Sequence, residues 1–184
     1  MGRRISVVGS TGSGKTTFSR ELARRLGVTH VELDALAWGP NWTLVPVEVF
    51  NERVARAVGG DAWVIDGNYA GRGARDLVWP RADTVIWLDP PLAVILARLF
   101  ARALRRSRTR EELWPGTGNR ETLRHHFVSR DSLLLWALKP HRRRRRELPL
   151  SLARLENAHL TVHRFRDSRE ADAWLDRQPA TAGP

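Results

Sequence analysis

Short apolar runs alternate with longer helical patterns along the chain, a glycine-rich turn joins the first run to the first helical pattern, and aspartates close later runs. Together these predict an α/β fold on a parallel sheet, because each pair of parallel strands needs a crossover helix and the sheet is covered on both faces. The length of 184 residues suits one domain. It is expected over residues 1–177, with residues 178–184 as a frayed tail.

The first strand is expected at residues 5–8, followed by a helix at 16–26 that opens directly on the glycine-rich turn. A second strand is expected at 30–33 and a helix at 46–58, with Pro46 suited to its first turn. Strands at 63–65 and 84–88 flank a more irregular stretch, and a helix at 91–106 starts on Pro91. The fifth strand is expected at 160–165 and the last helix at 169–175. Between the fourth and fifth strands, about residues 98–156, no strand pattern occurs, and Trp114, Pro115, Gly116, Thr117 and Gly118 form a break. This insertion reads as a helical, arginine-rich lid. Beyond the break Leu123, Phe127, Leu134 and Leu138 keep to one helical face until Pro140, where that helix is expected to end and a second, basic one to begin.

The chain has no cysteine, which excludes disulfides, thiolate metal sites and cysteine nucleophiles and suits a reducing compartment; a cytoplasmic location is expected. No apolar run approaches the length of a membrane span. The net charge of +11 is local. Arg98 to Arg146 holds 15 Lys+Arg against 4 Asp+Glu, and the rest of the chain balances to zero. That segment is suited to polyanions, whether nucleotide phosphates or nucleic acid. The run from residue 139 to 146 is the expected place for any nonspecific nucleic-acid contact.

Gly9, Ser10, Thr11, Gly12, Ser13, Gly14, Lys15 and Thr16 satisfy the spacing G-x-x-x-x-G-K-[ST], between a strand and a helix as that motif requires, with Thr17 next in the helix. Its glycines let successive N–H groups point inward, and the helix N-terminus adds its dipole, so the loop is expected to hold a nucleoside triphosphate, ATP. Lys15 is then expected on the β and γ phosphates and Thr16 on Mg2+. Lys15 is one of two lysines in a chain with 29 arginines, and a compact ammonium suits a tight loop better than a planar guanidinium. A dinucleotide-binding reading is weaker: the spacing is not G-x-G-x-x-G, although Asp34 stands about 20 residues on, as that fold would want.

Asp34, at the end of the second strand, and Asp66, at the end of the third, are expected at the carboxyl edge of the sheet beside the loop. Asp66 suits a metal-holding role. Asp34 suits the acceptor side, where it would orient or deprotonate an attacking hydroxyl. Trp38, Trp42, Arg53, Asn68 and Tyr69 are candidates for the acceptor pocket. Asp89, before two prolines, reads as structural.

With the phosphate loop, Glu32-Leu33-Asp34-Ala35-Leu36, Trp38 and Trp42, Asp66-Gly67-Asn68-Tyr69, residues 83–89 and Asn119-Arg120-Glu121, the chain resembles the adenylate-kinase-related proteins often labelled topology modulation proteins. These lie within the wider nucleoside monophosphate and shikimate kinase group. The resemblance implies a three-layer P-loop fold with strand order 2-3-1-4-5, Asp66 near the metal, lid arginines over the phosphates, and Arg166, Asp167 and Ser168 near the nucleotide base. Asp66-Gly67 is followed by Asn68-Tyr69, so the arginine with which adenylate kinases grip AMP is missing. Arg102, Arg106 and Arg120 flank the glycine break and are the candidate lid arginines. Five consecutive helical residues sweep round the axis, so most of Arg142 to Arg146 are expected to face solvent.

The expected function is therefore phosphoryl transfer from ATP with Mg2+ to a small acceptor, catalysed by Lys15, Asp34 and lid arginines through positioning and charge stabilisation. The alternatives are a nucleic-acid-associated NTPase and a nucleotide-binding switch without turnover.

Overall fold

Five strands pair in parallel in the order β2-β3-β1-β4-β5. They are β1 (Arg4–Gly9), β2 (Thr29–Glu32), β3 (Trp63–Asp66), β4 (Thr84–Leu88) and β5 (Thr161–Phe165) in a computed structural model that describes residues 2–109, 112–120 and 133–179. The central strands are buried along nearly their whole length, as a sheet covered on both faces demands. Alternate residues serve opposite layers. Trp63, Ile65, Val85 and Trp87 pack on one side with α3 (Val47–Ala57) and α4 (Ala74–Val78). Ile5, Val7, Val64 and Ile86 pack on the other with α1 (Lys15–Leu26) and α7 (Ser168–Asp176). In α1 the buried residues Phe18, Leu22 and Leu26 recur every four positions, and Gly27 ends the helix at φ 62, where a left-handed residue satisfies the last carbonyls.

The expected order, and the layers on both sides, are therefore present. Two local expectations are corrected. The second strand stops at Glu32, and Leu33–Ala37 forms a short helix, α2, so Asp34 lies in a helical first turn and not at a strand end. Pro140 does not end a helix: α6 runs unbroken over Leu133–Leu152. Its second half is anchored through His141, Arg144, Arg145 and the buried Leu148, and these tertiary contacts outweigh the hydrogen bond that proline removes. Leu123 and Phe127 of the expected helical face lie outside the described residues, as does most of the expected tail. α5 (Leu92–Thr109) leads to a loop at residues 112–120 tied by a bridge between Glu112 and Arg120. Among the described residues no helix is long and apolar enough to cross a membrane.

Candidate active site

β1 is flanked by β3 on one side and β4 on the other, and the turn that leaves its carboxyl end is the glycine-rich loop. This is the switch point at which open α/β sheets place ligands. Gly12 and Gly14 have φ of 82 and 96, the left-handed region that side chains avoid, and Gly14 is the residue on which α1 begins. A Cβ at Gly12 would stand 2.9 Å from Leu99 Cγ. The curled loop thus depends on glycine, and it opens onto a cavity of about 1150 Å³.

Lys15 Nζ donates to the carbonyl of Ser10 at 3.1 Å, folded back across the loop. Burial lowers its pKa to about 8, against the opposing pull of Asp66 and Asp34. An ammonium held at such a cost in a glycine-rich loop at a helix N-terminus is suited to receive phosphate oxygens. Thr16 Oγ1 donates to Asp66 Oδ1 at 3.2 Å, and His30 Nε2 contacts Asp66 Oδ2 at 2.7 Å. With its proton on that nitrogen, His30 fixes the buried carboxylate and leaves Oδ1 beside the hydroxyl. A hydroxyl and a carboxylate oxygen are hard donors of the kind Mg2+ takes, with water and phosphate completing the octahedron, so the residues fit the expected metal. Among the described residues no group of three or more His, Cys, Asp or Glu forms a self-sufficient metal cage, and a metal shared with phosphate needs none.

The cavity's other half is aromatic. Trp38 and Trp42 meet edge to face at 5.8 Å, and Trp42 meets Trp114 in the same way at 6.0 Å. Asn119, fully buried, accepts from the Trp42 N–H at 2.9 Å and donates to the Gly39 carbonyl at 2.8 Å. It thereby fastens the 112–120 loop over this wall. Tyr69 lies near Asp34, and burial together with the Asp34 charge pushes its phenol far up, so it stays protonated. Glu32 also lines the cavity; burial, with Asp66 and Asp34 nearby, raises its pKa.

Of the sequence candidates, Thr11 to Thr17, Asp34, Trp38, Trp42, Tyr69, Arg102, Arg106 and Ser168 line this one cavity. Gly9, Ser10 and Asp66 are not among its lining residues, and four others are turned elsewhere. Arg53 donates to the Leu36 carbonyl, and Arg120 lies exposed at the loop's bridge. Arg166 follows β5 without reaching the cavity. Asn68 is spent on the phosphate loop: its Nδ2 donates to Gly9 O at 2.7 Å and its Oδ1 accepts from Gly9 N.

Several participants were missed, Glu32 and Trp114 on the cavity wall among them. Arg98 bridges the Ser13 carbonyl and Ser168 Oγ, each at 2.8 Å; it stands one helical turn before Arg102, and that spacing could have found it. Arg144 and His141 both reach Ser10 Oγ at 3.3 Å, so the arginine run is not all solvent-facing. Arg145 pairs with buried Asp89, which Arg164 also holds, in keeping with a structural Asp89. No local signal marks these contacts, which span more than 50 residues each.

No protein-family model matches the chain. A shikimate kinase of Synechococcus elongatus is 26% identical over 177 residues, covering 89% of this chain and 85% of that protein. Among solved structures, a gluconokinase from Sinorhizobium meliloti superposes with a TM-score of 0.53 at 20% identity, covering 96% of this chain and 94% of its own. A shikimate kinase from Bacteroides thetaiotaomicron gives 0.53 at 17%, covering 95% and 94%. One from Acinetobacter baumannii, in complex with shikimate, gives 0.51 at 18%, covering 96% and 92%. The chain thus has the fold of small P-loop kinases. The narrower likeness to topology modulation proteins rests on its motifs.

Proposed function

We propose that the protein is a Mg2+-dependent kinase that transfers the γ-phosphoryl group of ATP to a hydroxyl of a small acceptor. The observation that carries this reading is the meeting, in one cavity, of Lys15 and Thr16 with Asp34 and Tyr69. A switch that only binds nucleotide has no use for a carboxylate poised opposite the phosphates. The similarity to shikimate kinases and the shared fold with a gluconokinase support the same reaction class.

In this reading the loop N–H groups and Lys15 hold the β and γ phosphates, while Arg102 and Arg106 face the transferring group from α5. Thr16 and Asp66 would hold Mg2+, which neutralises phosphate charge. Asp34 accepts the hydroxyl proton as the oxygen attacks, with the protonated Tyr69 beside it. Asn119 and Trp114 close the wall that excludes water.

Acceptors are screened by ADP release, with binding of an ATP analogue followed in parallel. Lys15→Ala is expected to abolish analogue binding or turnover. Asp34→Asn is expected to keep analogue affinity within about threefold while turnover falls about a hundredfold or more. Unchanged turnover in both variants, or lost analogue affinity in Asp34→Asn with transfer preserved, would refute the assigned roles.

A further inference from the structure

Topology gathers the cavity's cations on one side. Those that line it, Lys15, Arg20, Arg98, Arg102, Arg105 and Arg106, come from α1 and α5, where Glu21 of α1 and Asp167 and Asp172 at and within α7 also line it. The opposite side is built by β2, α2 and the segments after them, and it contributes Glu32, Asp34, Trp38, Trp42 and Tyr69. Basic residues of this side are turned elsewhere. Arg53 donates to Leu36 O, Arg72 donates to Val45 O and covers the Phe50 ring, and His30 is held by Asp66. Among the described residues, then, the acceptor side offers two carboxylates and an aromatic wall without a cation from its own elements. An anionic acceptor would meet like charge there, and the site would reject it.

The aromatic geometry adds a second, independent pointer. Trp38, Trp42 and Trp114 stand successively perpendicular, at 77° and 78°, so their rings form adjoining walls instead of a flat stack. All three border the cavity, where an indole ring can offer a π face to a cation, which tryptophan binds best among the aromatic side chains. Glu32 lines the same cavity as the three tryptophans, so its carboxylate is available to a cation held there.

We propose that the acceptor is a hydroxyl compound carrying a positively charged nitrogen, of the amino-alcohol or amino-sugar class, with its ammonium among the three tryptophans beside Glu32 and its hydroxyl at Asp34. The proposal rests on the phosphotransfer reading above. In the step itself, the acceptor oxygen forms a bond to the γ-phosphorus as the bond to the β,γ-bridging oxygen breaks. The hydroxyl proton passes to Asp34, and the products are ADP and a phosphate monoester. The ammonium takes no part in bond making; it fixes the acceptor's orientation and offsets the carboxylates.

Two matched sets test this: D-glucosamine, D-glucose and D-gluconate, and choline with its neutral carbon isostere. Each is titrated calorimetrically into the protein saturated with Mg2+ and a non-hydrolysable ATP analogue, and each is assayed with ATP for ADP release. The cationic member of at least one set is expected to bind about tenfold or more tighter than its partners and to be the one phosphorylated. Glu32→Gln and Trp114→Phe are each expected to reduce that preference, with analogue binding kept as evidence that the variants fold. Equal or better binding of the neutral or anionic members, or no binding by any of them, overturns the proposal. Failure of the analogue itself to bind overturns the kinase reading instead, so the two failures are distinguishable.

Discussion

Lys15 carries a stability cost that a phosphate-binding role would explain. Its folded pKa of about 8 lies below the 10.5 of an exposed lysine, because burial disfavours the ammonium. Between these values the unfolded chain binds the extra proton, so stability rises with pH through the window from 8 to 10.5 and is lowest, for this group, below pH 8. The cost near neutrality is on the order of 1–3 kcal/mol, since the open cavity leaves part of the side chain in water. Lys15→Met is therefore expected to melt several degrees higher than the native protein at pH 7 without ligand, to lose the rise above pH 8, and to gain nothing from ATP. Thermal melts across pH check this. Phosphates would restore the ammonium, so ATP binding at pH 8.5 should take up a proton, visible as a calorimetric heat that varies with buffer. A variant less stable than native at pH 7, or binding without proton uptake, would show that Lys15 is not strained in the empty loop.

The helix α6 gives the arginine run two faces. Arg142, Arg143 and Arg146 are exposed, and Arg143 pairs with Glu147 on the surface. Arg144 is turned inward, where burial lowers its pKa to about 10 and leaves it charged at neutral pH. Ser10 Oγ can accept from Arg144 and donate to His141 Nδ1, and His141, whose pKa burial lowers, is suited to stay neutral and accept. Arg144→Ala is expected to raise the KM for ATP about tenfold, the loss of one hydrogen bond to a charged group, with a smaller change in kcat. Replacing Arg142, Arg143 and Arg146 together by Gln should leave both within twofold; steady-state kinetics decide, and the reverse pattern would place the functional arginines on the surface. Local pattern correctly indicated a helix and warned that five arginines could not all face one ligand. It did not show which arginine turns inward, because a phosphate loop more than 130 residues away decides that. Asn68 was misplaced for the same reason: Tyr69, next in sequence, lines the cavity, yet the Asn68 amide closes on Gly9.

Over the whole molecule, the strand order and the position of the phosphate loop were legible because apolar runs, glycines and strand-end carboxylates are local signals, and Thr16 and Asp66 meet across the β1 and β3 pairing that this order creates. Contacts that join distant elements were not. Arg98 is the clearest case, since it ties α5 to the Ser13 carbonyl and to Ser168 at the start of α7, linking the loop to both helices that flank the nucleotide side. Its two charge-assisted hydrogen bonds are worth on the order of 1.5–3 kcal/mol together, discounted because the side chain reaches solvent. ATP with Mg2+ at a hundred times its Kd should stabilise the native protein by about 2.7 kcal/mol, which for a chain of this size is roughly 5–10 °C in Tm. Arg98→Ala is expected to melt a few degrees lower without ligand and, at the same ATP concentration, to show a clearly smaller ligand-induced shift, because the loop and α7 no longer share a partner. Arg105→Ala, which removes a cavity-lining arginine not shown to bridge these elements, should keep the unliganded Tm. Calorimetric scans of the three proteins, with and without ATP, separate the outcomes: an undiminished ligand shift in Arg98→Ala would mean that the bridge supports the fold alone and leaves the nucleotide side of the cavity indifferent to it.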